Sequence, residues 1–232
     1  MKKIFVCILV TVLLALSAPV GELAEARGEN ELVIIAFGDS ITAADKWQPR
    51  IESRFGVDVI NAGVGGDSTK SALARFESQV LDKNPDVVFI GFGTNDAAID
   101  MAKYVPLDEY KSNLNYFIDE CEKIGAKVII NIPPPVVDSV YLTRHEAAPF
   151  EPYGGPNGLV SIYAQAAREV AIARGVVYAD LNAIFKALDD YASYFPDGVH
   201  PSNAGYAIYG DTAADAFDKL WKGDVDLSGI IV

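Results

Sequence analysis

Cysteine and histidine are scarce in this sequence, and their scarcity argues against several kinds of site. The chain holds two cysteines, Cys7 and Cys121, and two histidines, His145 and His200. Hydrolytic zinc sites take several histidine or cysteine ligands, so zinc chemistry is disfavoured. Cys7 lies in an N-terminal apolar run, and without that run Cys121 has no partner for an intrachain disulfide. We expect Cys121 to be a buried apolar residue on a helix. His145 stands beside charged residues, and we expect it to be solvated.

Lysine and arginine are also scarce relative to aspartate and glutamate. The chain has 19 lysines and arginines against 32 aspartates and glutamates, a formal net charge of −13. A surface of this sign repels polyanions, and no cluster of basic residues offsets it. We therefore expect neither nucleic acid nor a stable membrane association among the partners of the mature chain.

Long apolar runs are confined to the N-terminus. Two lysines precede an apolar stretch over 4–16, and Ala24-Glu25-Ala26 offers a small-residue cleavage site. This pattern predicts a secretory signal peptide over residues 1–26 and a secreted or periplasmic location. An uncleaved anchor is the less favoured alternative, because Pro19 and the polar stretch after it supply no stop-transfer pattern. Cys7 lies inside the run and does not fit a lipid anchor.

The remaining chain divides into one predicted domain and a short tail. Residues 27–223 are long and apolar enough to bury a single core. Residues 224–232 imitate the first half of a calcium loop, with oxygen ligands at alternating positions and a glycine in sixth place. Such a loop needs a carboxylate at its twelfth position, so we expect at most weak calcium binding by this segment alone.

Apolar β-rich runs alternate with helical patterns along the predicted domain, which is typical of a parallel sheet covered on both faces. The predicted strands are 32–37, 57–60, 86–92, 127–132 and 176–179. The predicted helices are 46–54, 68–82, 108–124, 158–174, 181–189 and 203–221. Apolar stripes at helical spacing are expected to be core, namely Leu73, Phe76, Val80 and Leu81, and Leu114, Phe117, Ile118 and Cys121. The fold class is thus an α/β/α sandwich with a five-stranded parallel sheet, of flavodoxin-like type.

Four polar or glycine-rich segments fall where strands end or the last helix begins. They are Gly38-Asp39-Ser40, Asn61 to Asp67, Gly93-Thr94-Asn95-Asp96 and Asp197-Gly198-Val199-His200. A serine, a histidine and a carboxylate are the groups that nucleophilic acyl transfer requires, and glycine N–H groups or an asparagine amide can hold an oxyanion. Each segment alone also fits an ordinary turn or helix cap. Their joint occurrence favours the catalytic interpretation.

These four blocks, in this order, resemble the SGNH or GDSL-type hydrolase family, whose members are esterases, lipases, thioesterases and carbohydrate deacetylases. The resemblance implies that Ser40 is the nucleophile, His200 the base and Asp197 the acid that orients it. It also implies that the oxyanion hole is formed by Ser40, Gly66 and Asn95, and that no metal or organic cofactor is required. Gly66 is chosen over Gly63 and Gly65 because it directly precedes Asp67, as in the family block.

Other catalytic and nucleotide-binding motifs do not fit. Gly63 to Lys70 lacks P-loop spacing, and Gly91-x-Gly93 does not continue as a dinucleotide fingerprint. The Gly-x-Ser-x-Gly elbow of α/β-hydrolases is absent around Ser40.

A long proline-rich connection, residues 133–157, is expected to form a flap that faces substrate. We expect its aromatic residues Tyr141, Phe150 and Tyr153 to contact the substrate. Together with export, these aromatics favour removal of a small acyl group, acetyl, from a carbohydrate. The alternatives are a lysophospholipase or thioesterase acting on longer acyl chains, and a non-catalytic carbohydrate-binding protein on the same fold.

Overall fold

The computed structural model describes residues 32–223. The predicted signal peptide and the calcium-loop-like tail lie outside the described residues. The strands are β1 (Ile34–Gly38), β2 (Val59–Gly63), β3 (Val87–Gly91), β4 (Lys127–Ile132) and β5 (Val177–Asp180). The α-helices are α1 (Ser40–Ala43), α2 (Gln48–Phe55), α3 (Thr69–Gln79), α4 (Leu107–Lys123), α5 (Asp138–Tyr141), α6 (Pro156–Arg174), α7 (Leu181–Lys186) and α8 (Asn203–Lys222). Short 3-10 helices occupy Leu81–Lys83, Ala148–Tyr153 and Tyr191–Tyr194.

The five strands form one parallel sheet in the order β2-β1-β3-β4-β5. The central strands β1 and β3 pair in register from Ile34 with Val87 to Gly38 with Gly91. Both strands are apolar along most of their length because helices cover both faces of the sheet. The predicted α/β sandwich is confirmed. All five strands end at the same edge of the sheet, where sites form in parallel α/β folds.

Alternate residues of β1 divide the core into two layers. Ile35 and Phe37 pack in one cluster with residues of α3, α4 and α6, whereas Ile34 and Ala36 pack in the other with residues of α2, α7 and α8. This alternation is the two-residue period of a strand. Cys121 is buried on α4, as the sequence indicates.

Helix boundaries agree with the sequence patterns to within a few residues, but one predicted core residue lies at the surface. Leu73 of α3 is 38% exposed rather than buried. The stripe of α3 that packs inward is instead Ala72 and Phe76, one position away from Leu73 around the helix. Among the helices within residues 32–223, none combines the length and apolarity needed to cross a bilayer.

Candidate active site

Ser40 is held at the end of β1 by the start of a short helix. Asp39 is the N-cap of α1, and its Oδ1 accepts a hydrogen bond of 2.9 Å from the N–H of Ile41. Ser40 itself is the first residue of α1 and is partly exposed. The capping role that the sequence also allowed for Ser40 therefore belongs to Asp39. This leaves the Ser40 hydroxyl free to face a different partner.

That partner is His200, which lies 160 positions away in the sequence. The Nε2 of His200 is 2.8 Å from Ser40 Oγ, and its Nδ1 is 2.7 Å from Asp197 Oδ2. A carboxylate only accepts hydrogen bonds, so a neutral imidazole here carries its proton on Nδ1 and accepts from the Ser40 hydroxyl at Nε2. The three side chains form one hydrogen-bonded chain in the order needed for a serine nucleophile and its base.

Asp197 is anchored by its own loop. Its second oxygen, Oδ1, accepts from the N–H of Val199 at 2.9 Å and from the N–H of His200 at 2.7 Å. Burial opposes ionisation of this carboxyl, but the hydrogen bonds from His200 and Val199 outweigh it and lower the pKa of Asp197. Asp197 is therefore an anion whose position is fixed from both sides.

Ser40, Gly66 and Asn95 line one cleft, and each carries an N–H group that could donate a hydrogen bond there. Within residues 32–223, neither the Ser40 nor the Gly66 N–H has a hydrogen-bond partner. Gly66 follows β2 with a φ of +75°, a conformation that favours glycine, and lines the same cleft as Ser40 and Asn95. Gly63 is needed for close packing, because a Cβ at this position would lie 2.2 Å from the backbone nitrogen of Ala43. Gly65 is not among the residues that line the cleft.

Asn95 follows β3 and is buried, with its amide fixed by neighbours. Its Nδ2 donates to the carbonyl of Asp67 at 2.8 Å and lies 3.4 Å from Asp39 Oδ2. Its Oδ1 accepts from Lys103 Nζ at 2.6 Å. One N–H of the amide thus has a good partner and the other only a long contact. The second N–H is therefore only weakly engaged.

Arg75 on α3 supports this edge of the sheet, and the sequence analysis did not identify it. Its guanidinium donates to the carbonyls of Gly38 and Ala62, at 2.9 and 2.6 Å, and to Asp67 Oδ2 at 2.7 Å. It also covers the ring of Phe37 at 4.4 Å. Arg75 therefore joins the ends of β1 and β2 to the residue whose carbonyl holds the Asn95 amide.

Two buried carboxyls lie below the cleft. Burial raises the pKa of Asp39 to about 6, although the Ile41 N–H and the charge of Lys103 partly oppose this. Burial also raises the pKa of Asp96 to about 7, against hydrogen bonds from the N–H and hydroxyl of Thr69 at 2.9 and 2.5 Å. The charge of Asp39 further raises the pKa of Asp96, and the charge of Asp67 further raises the pKa of Asp39.

The predicted flap contributes Tyr141, Arg144 and His145 to the lining of the cleft. Tyr141 lines the cleft, and the ring of His145 stacks on it with centroids 3.9 Å apart. His145 Nδ1 is 2.8 Å from Asp100 Oδ2, and both side chains are largely buried. The expectation that His145 is solvated is therefore wrong, because stacking and this hydrogen bond hold it against the cleft.

The other two aromatic residues of the flap occupy different places from those expected. Phe150 is 1% exposed, belongs to the core and contacts Tyr141 edge-on at 5.7 Å between centroids. It supports Tyr141 from below and does not reach the cleft. Tyr153 is partly exposed, but it is not among the residues that line the cleft. The substrate-facing position expected for Phe150 is thus corrected, and Tyr153 lies outside the cleft lining.

The cleft itself has a volume of about 210 Å³ and contains Ser40, Gly66, Asn95 and His200 in its lining. Within residues 32–223, no three His, Cys, Asp or Glu side chains are grouped so that they could hold a metal ion. The arrangement offers a hydroxyl with a base on one side and hydrogen-bond donors around it.

Comparison with known proteins agrees with this geometry. Residues 36–208 match the sequence profile of the GDSL-like Lipase/Acylhydrolase family. Among solved structures, a lipase/acylhydrolase from Enterococcus faecalis superimposes with a TM-score of 0.68 at 28% identity, over 82% of this chain and 96% of that one.

Two curated relatives extend the comparison. The chain is 36% identical over 168 residues to the "Uncharacterized lipoprotein YqeF" of Bacillus subtilis, covering 63% of this chain and 68% of the relative. It is 26% identical over 214 residues to an acetylxylan esterase of Geobacillus stearothermophilus, covering 78% of this chain and 90% of the relative. The chain belongs to the GDSL-like lipase/acylhydrolase family. It is a carboxylic ester hydrolase.

Proposed function

We propose that the enzyme cleaves its ester through an acyl-enzyme formed on Ser40. The observation that carries this proposal is the hydrogen-bonded chain from Ser40 through His200 to Asp197 at the cleft. His200 takes the hydroxyl proton as Ser40 Oγ attacks the carbonyl carbon, and then gives that proton to the departing alcohol. Water, deprotonated by the same imidazole, attacks the acyl-enzyme, and Ser40 leaves with its proton restored. Asp197 stabilises the imidazolium in both halves of the reaction.

We assign the stabilisation of the negative charge that develops on the carbonyl oxygen to three hydrogen-bond donors. They are the N–H groups of Ser40 and Gly66 and the Nδ2 of Asn95. Their support is the absence of hydrogen-bond partners for the two N–H groups within residues 32–223, and the weakly engaged second N–H of the amide. Donors that are fixed before the reaction need no reorganisation when charge appears. No cofactor takes part in this scheme.

For the substrate, we propose a small acyl group, acetyl, on a carbohydrate. A cleft of about 210 Å³ is smaller than the roughly 300–1,000 Å³ of drug-sized ligand sites, and Val199 is the one aliphatic side chain among the described residues of its lining. An acyl chain of many carbons would need an apolar channel to be buried. The acetylxylan esterase among the relatives adds support for a sugar as the alcohol.

We also propose that the enzyme acts outside the cytoplasm. Support comes from the signal-like pattern over residues 1–26, and from the lipoprotein name carried by the Bacillus subtilis relative. An acidic net charge of −13 is compatible with a soluble mature enzyme. Sequencing the N-terminus of the exported protein tests this, because cleavage after Ala26 should leave Arg27 as the first residue.

The substrate proposal is tested by a rate series over acyl length. Esters of 4-nitrophenol from acetyl to octanoyl are compared by kcat/KM, and acetate release is measured from acetylated xylo-oligosaccharides. The expected result is a maximum at acetyl and measurable acetate release, both lost in Ser40→Ala. A kcat/KM that climbs steadily with acyl length would reject the deacetylase and favour the lysophospholipase or thioesterase alternative. A non-catalytic binding protein would turn over none of these esters.

A further inference from the structure

We propose that the cleft recognises an anionic group on the alcohol part of its substrate, so that the preferred substrate is an acetylated acidic carbohydrate. This inference rests on the proposed function and narrows its substrate class. It comes from the charge of the cleft lining, which is opposite in sign to that of the rest of the chain.

The cleft lining contains basic groups and no carboxylate. Lys103, Arg144, His145 and His200 line it, and no aspartate or glutamate does. The whole chain, by contrast, carries 32 acidic residues against 19 lysines and arginines. A net charge of −13 repels an anionic substrate at long range, so a basic cleft is the local feature that allows such a substrate to bind.

The nearby acids are already engaged by other partners. Asp100 bonds His145, and its side chain is 10% exposed. Asp197 contacts Nδ1 of His200, whereas Ser40 contacts Nε2. Asp197 therefore lies on the other side of the imidazole from the nucleophile. Asp39 is 3% exposed and caps α1. None of these carboxyls is among the groups that line the cleft.

Lys103 and Arg144 retain unused donors. Lys103 Nζ donates to Asn95 Oδ1 at 2.6 Å, and Arg144 Nη2 donates to the carbonyl of Asp197 at 2.6 Å. Within the described part of the chain, neither forms an ion pair with a carboxylate, although the charges of Asp39 and Asp100 act on Lys103 from a greater distance. An ammonium has three N–H groups and a guanidinium has five, so most of their donors remain available. A carboxylate beside the ester could accept from Arg144 in a charge-assisted hydrogen bond.

The first experiment uses two acetate esters that differ in one charge, 3-acetoxybenzoate and its methyl ester. We expect kcat/KM to be about tenfold higher for the carboxylate, and the preference to shrink as salt is added. Arg144→Gln and Lys103→Gln should each reduce the ratio of the two kcat/KM values. The ratio is the readout, because both residues contact the catalytic machinery and their loss can lower both rates together.

A matched control removes one positive charge far from the cleft. Lys123 is exposed at the end of α4, and Lys123→Gln should leave the ratio unchanged. Equal kcat/KM for the two esters in the unmodified enzyme would overturn the inference, while hydrolysis of phenyl acetate would show that the proposed function stands. If phenyl acetate is not hydrolysed either, the proposed function fails and the inference falls with it.

A second experiment separates the two sources of an anionic alcohol. Acetylated oligosaccharides of a uronic acid are compared with lysophosphatidylglycerol, whose anionic head group belongs to a lipid. Faster turnover of the acidic oligosaccharide, with loss of that advantage when its carboxylates are methyl-esterified, supports the proposal. Faster turnover of the lipid would overturn it.

Discussion

Replacing Asn95 by alanine should lower kcat far more than it changes KM. The side chain is buried, and its amide nitrogen is held by the Asp67 carbonyl at 2.8 Å. The substitution also removes the hydrogen bonds to the Asp67 carbonyl and from Lys103, which should lower the free energy of unfolding, whereas the second N–H has only a 3.4 Å contact with Asp39 in the free enzyme. The substitution should lower kcat, because the second N–H is needed when negative charge develops on the carbonyl oxygen in the transition state.

The size of the effect follows from the role of one oxyanion donor. Removal of such a donor costs about 10²–10³ in kcat, or roughly 3–4 kcal/mol of transition-state stabilisation. The remaining two donors, the N–H groups of Ser40 and Gly66, are backbone groups that the substitution leaves in place. Asn95→Asp keeps the shape but loses the donor and adds a charge near Asp39, so it should be at least as inactive as Asn95→Ala.

Initial rates with phenyl acetate over a range of concentrations give kcat and KM separately. Asn113→Ala is the matched control, because Asn113 is also buried and donates to Thr69 Oγ1 at 3.1 Å without lining the cleft. It should lower the free energy of unfolding and leave kcat within a few fold. An Asn95→Ala enzyme that is folded and keeps its kcat would refute the assignment of this amide to the oxyanion hole.

Three further outcomes are expected. Asp197→Asn should lower kcat by about 10²–10⁴ in steady-state assays, because an amide at this position cannot stabilise the imidazolium; an unchanged kcat would contradict the assignment. Because burial raises the folded-state pKa of Asp96 to about 7, the protonated carboxyl stabilises the fold at low pH, and this contribution is lost as pH rises from about 4, the ordinary pKa of the unfolded state, to about 7. From pH 5 to 8, denaturant unfolding of the wild type should therefore lose about 2–3 kcal/mol that Asp96→Asn does not lose, and equal losses in both proteins would reject the raised pKa. Phe150→Ala should lower the free energy of unfolding by about 3–5 kcal/mol, and a loss below 1 kcal/mol would contradict its place in the core.

The fold was predictable because its signals are local. The central strands β1, β3 and β4 are short apolar runs, and long helices such as α6 and α8 show buried stripes with a glycine, proline or capping residue near their ends. The error at Leu73 arose because Ala72 is too small to stand out in a hydrophobic pattern, although it packs inward. A periodicity based on large residues therefore rotated the buried face of α3 by one position.

The site was only partly predictable, for a related reason. Ser40, Asn95 and His200 stand in short blocks next to strand or helix ends, and parallel strands bring those ends together. Arg75 stands outside any such block. The carbonyls that it binds lie 13 and 37 positions away in the sequence, so no local pattern indicates its role. His145 likewise depends on Asp100, a partner 45 positions away that no local pattern connects to it.

The flap shows the limit of reasoning from composition. Its aromatic content correctly indicated that the segment meets the cleft, because Tyr141 lines it. Composition carries no period, however, so it could not tell which ring faces outward. Phe150 has no polar group to satisfy and is buried beneath Tyr141, which lines the cleft together with its stacked neighbour His145.

The most direct test of the central claim is the site of covalent labelling by a fluorophosphonate, a reagent that reacts with activated serines. The intact protein should take up one equivalent and lose its esterase activity in step, and peptide mapping by mass spectrometry should place the label on Ser40. Ser40→Ala should remain folded, unlabelled and inactive, and His200→Ala should label far more slowly because the hydroxyl then lacks its base. Labelling at another residue, or full activity in a protein labelled at Ser40, would contradict the account.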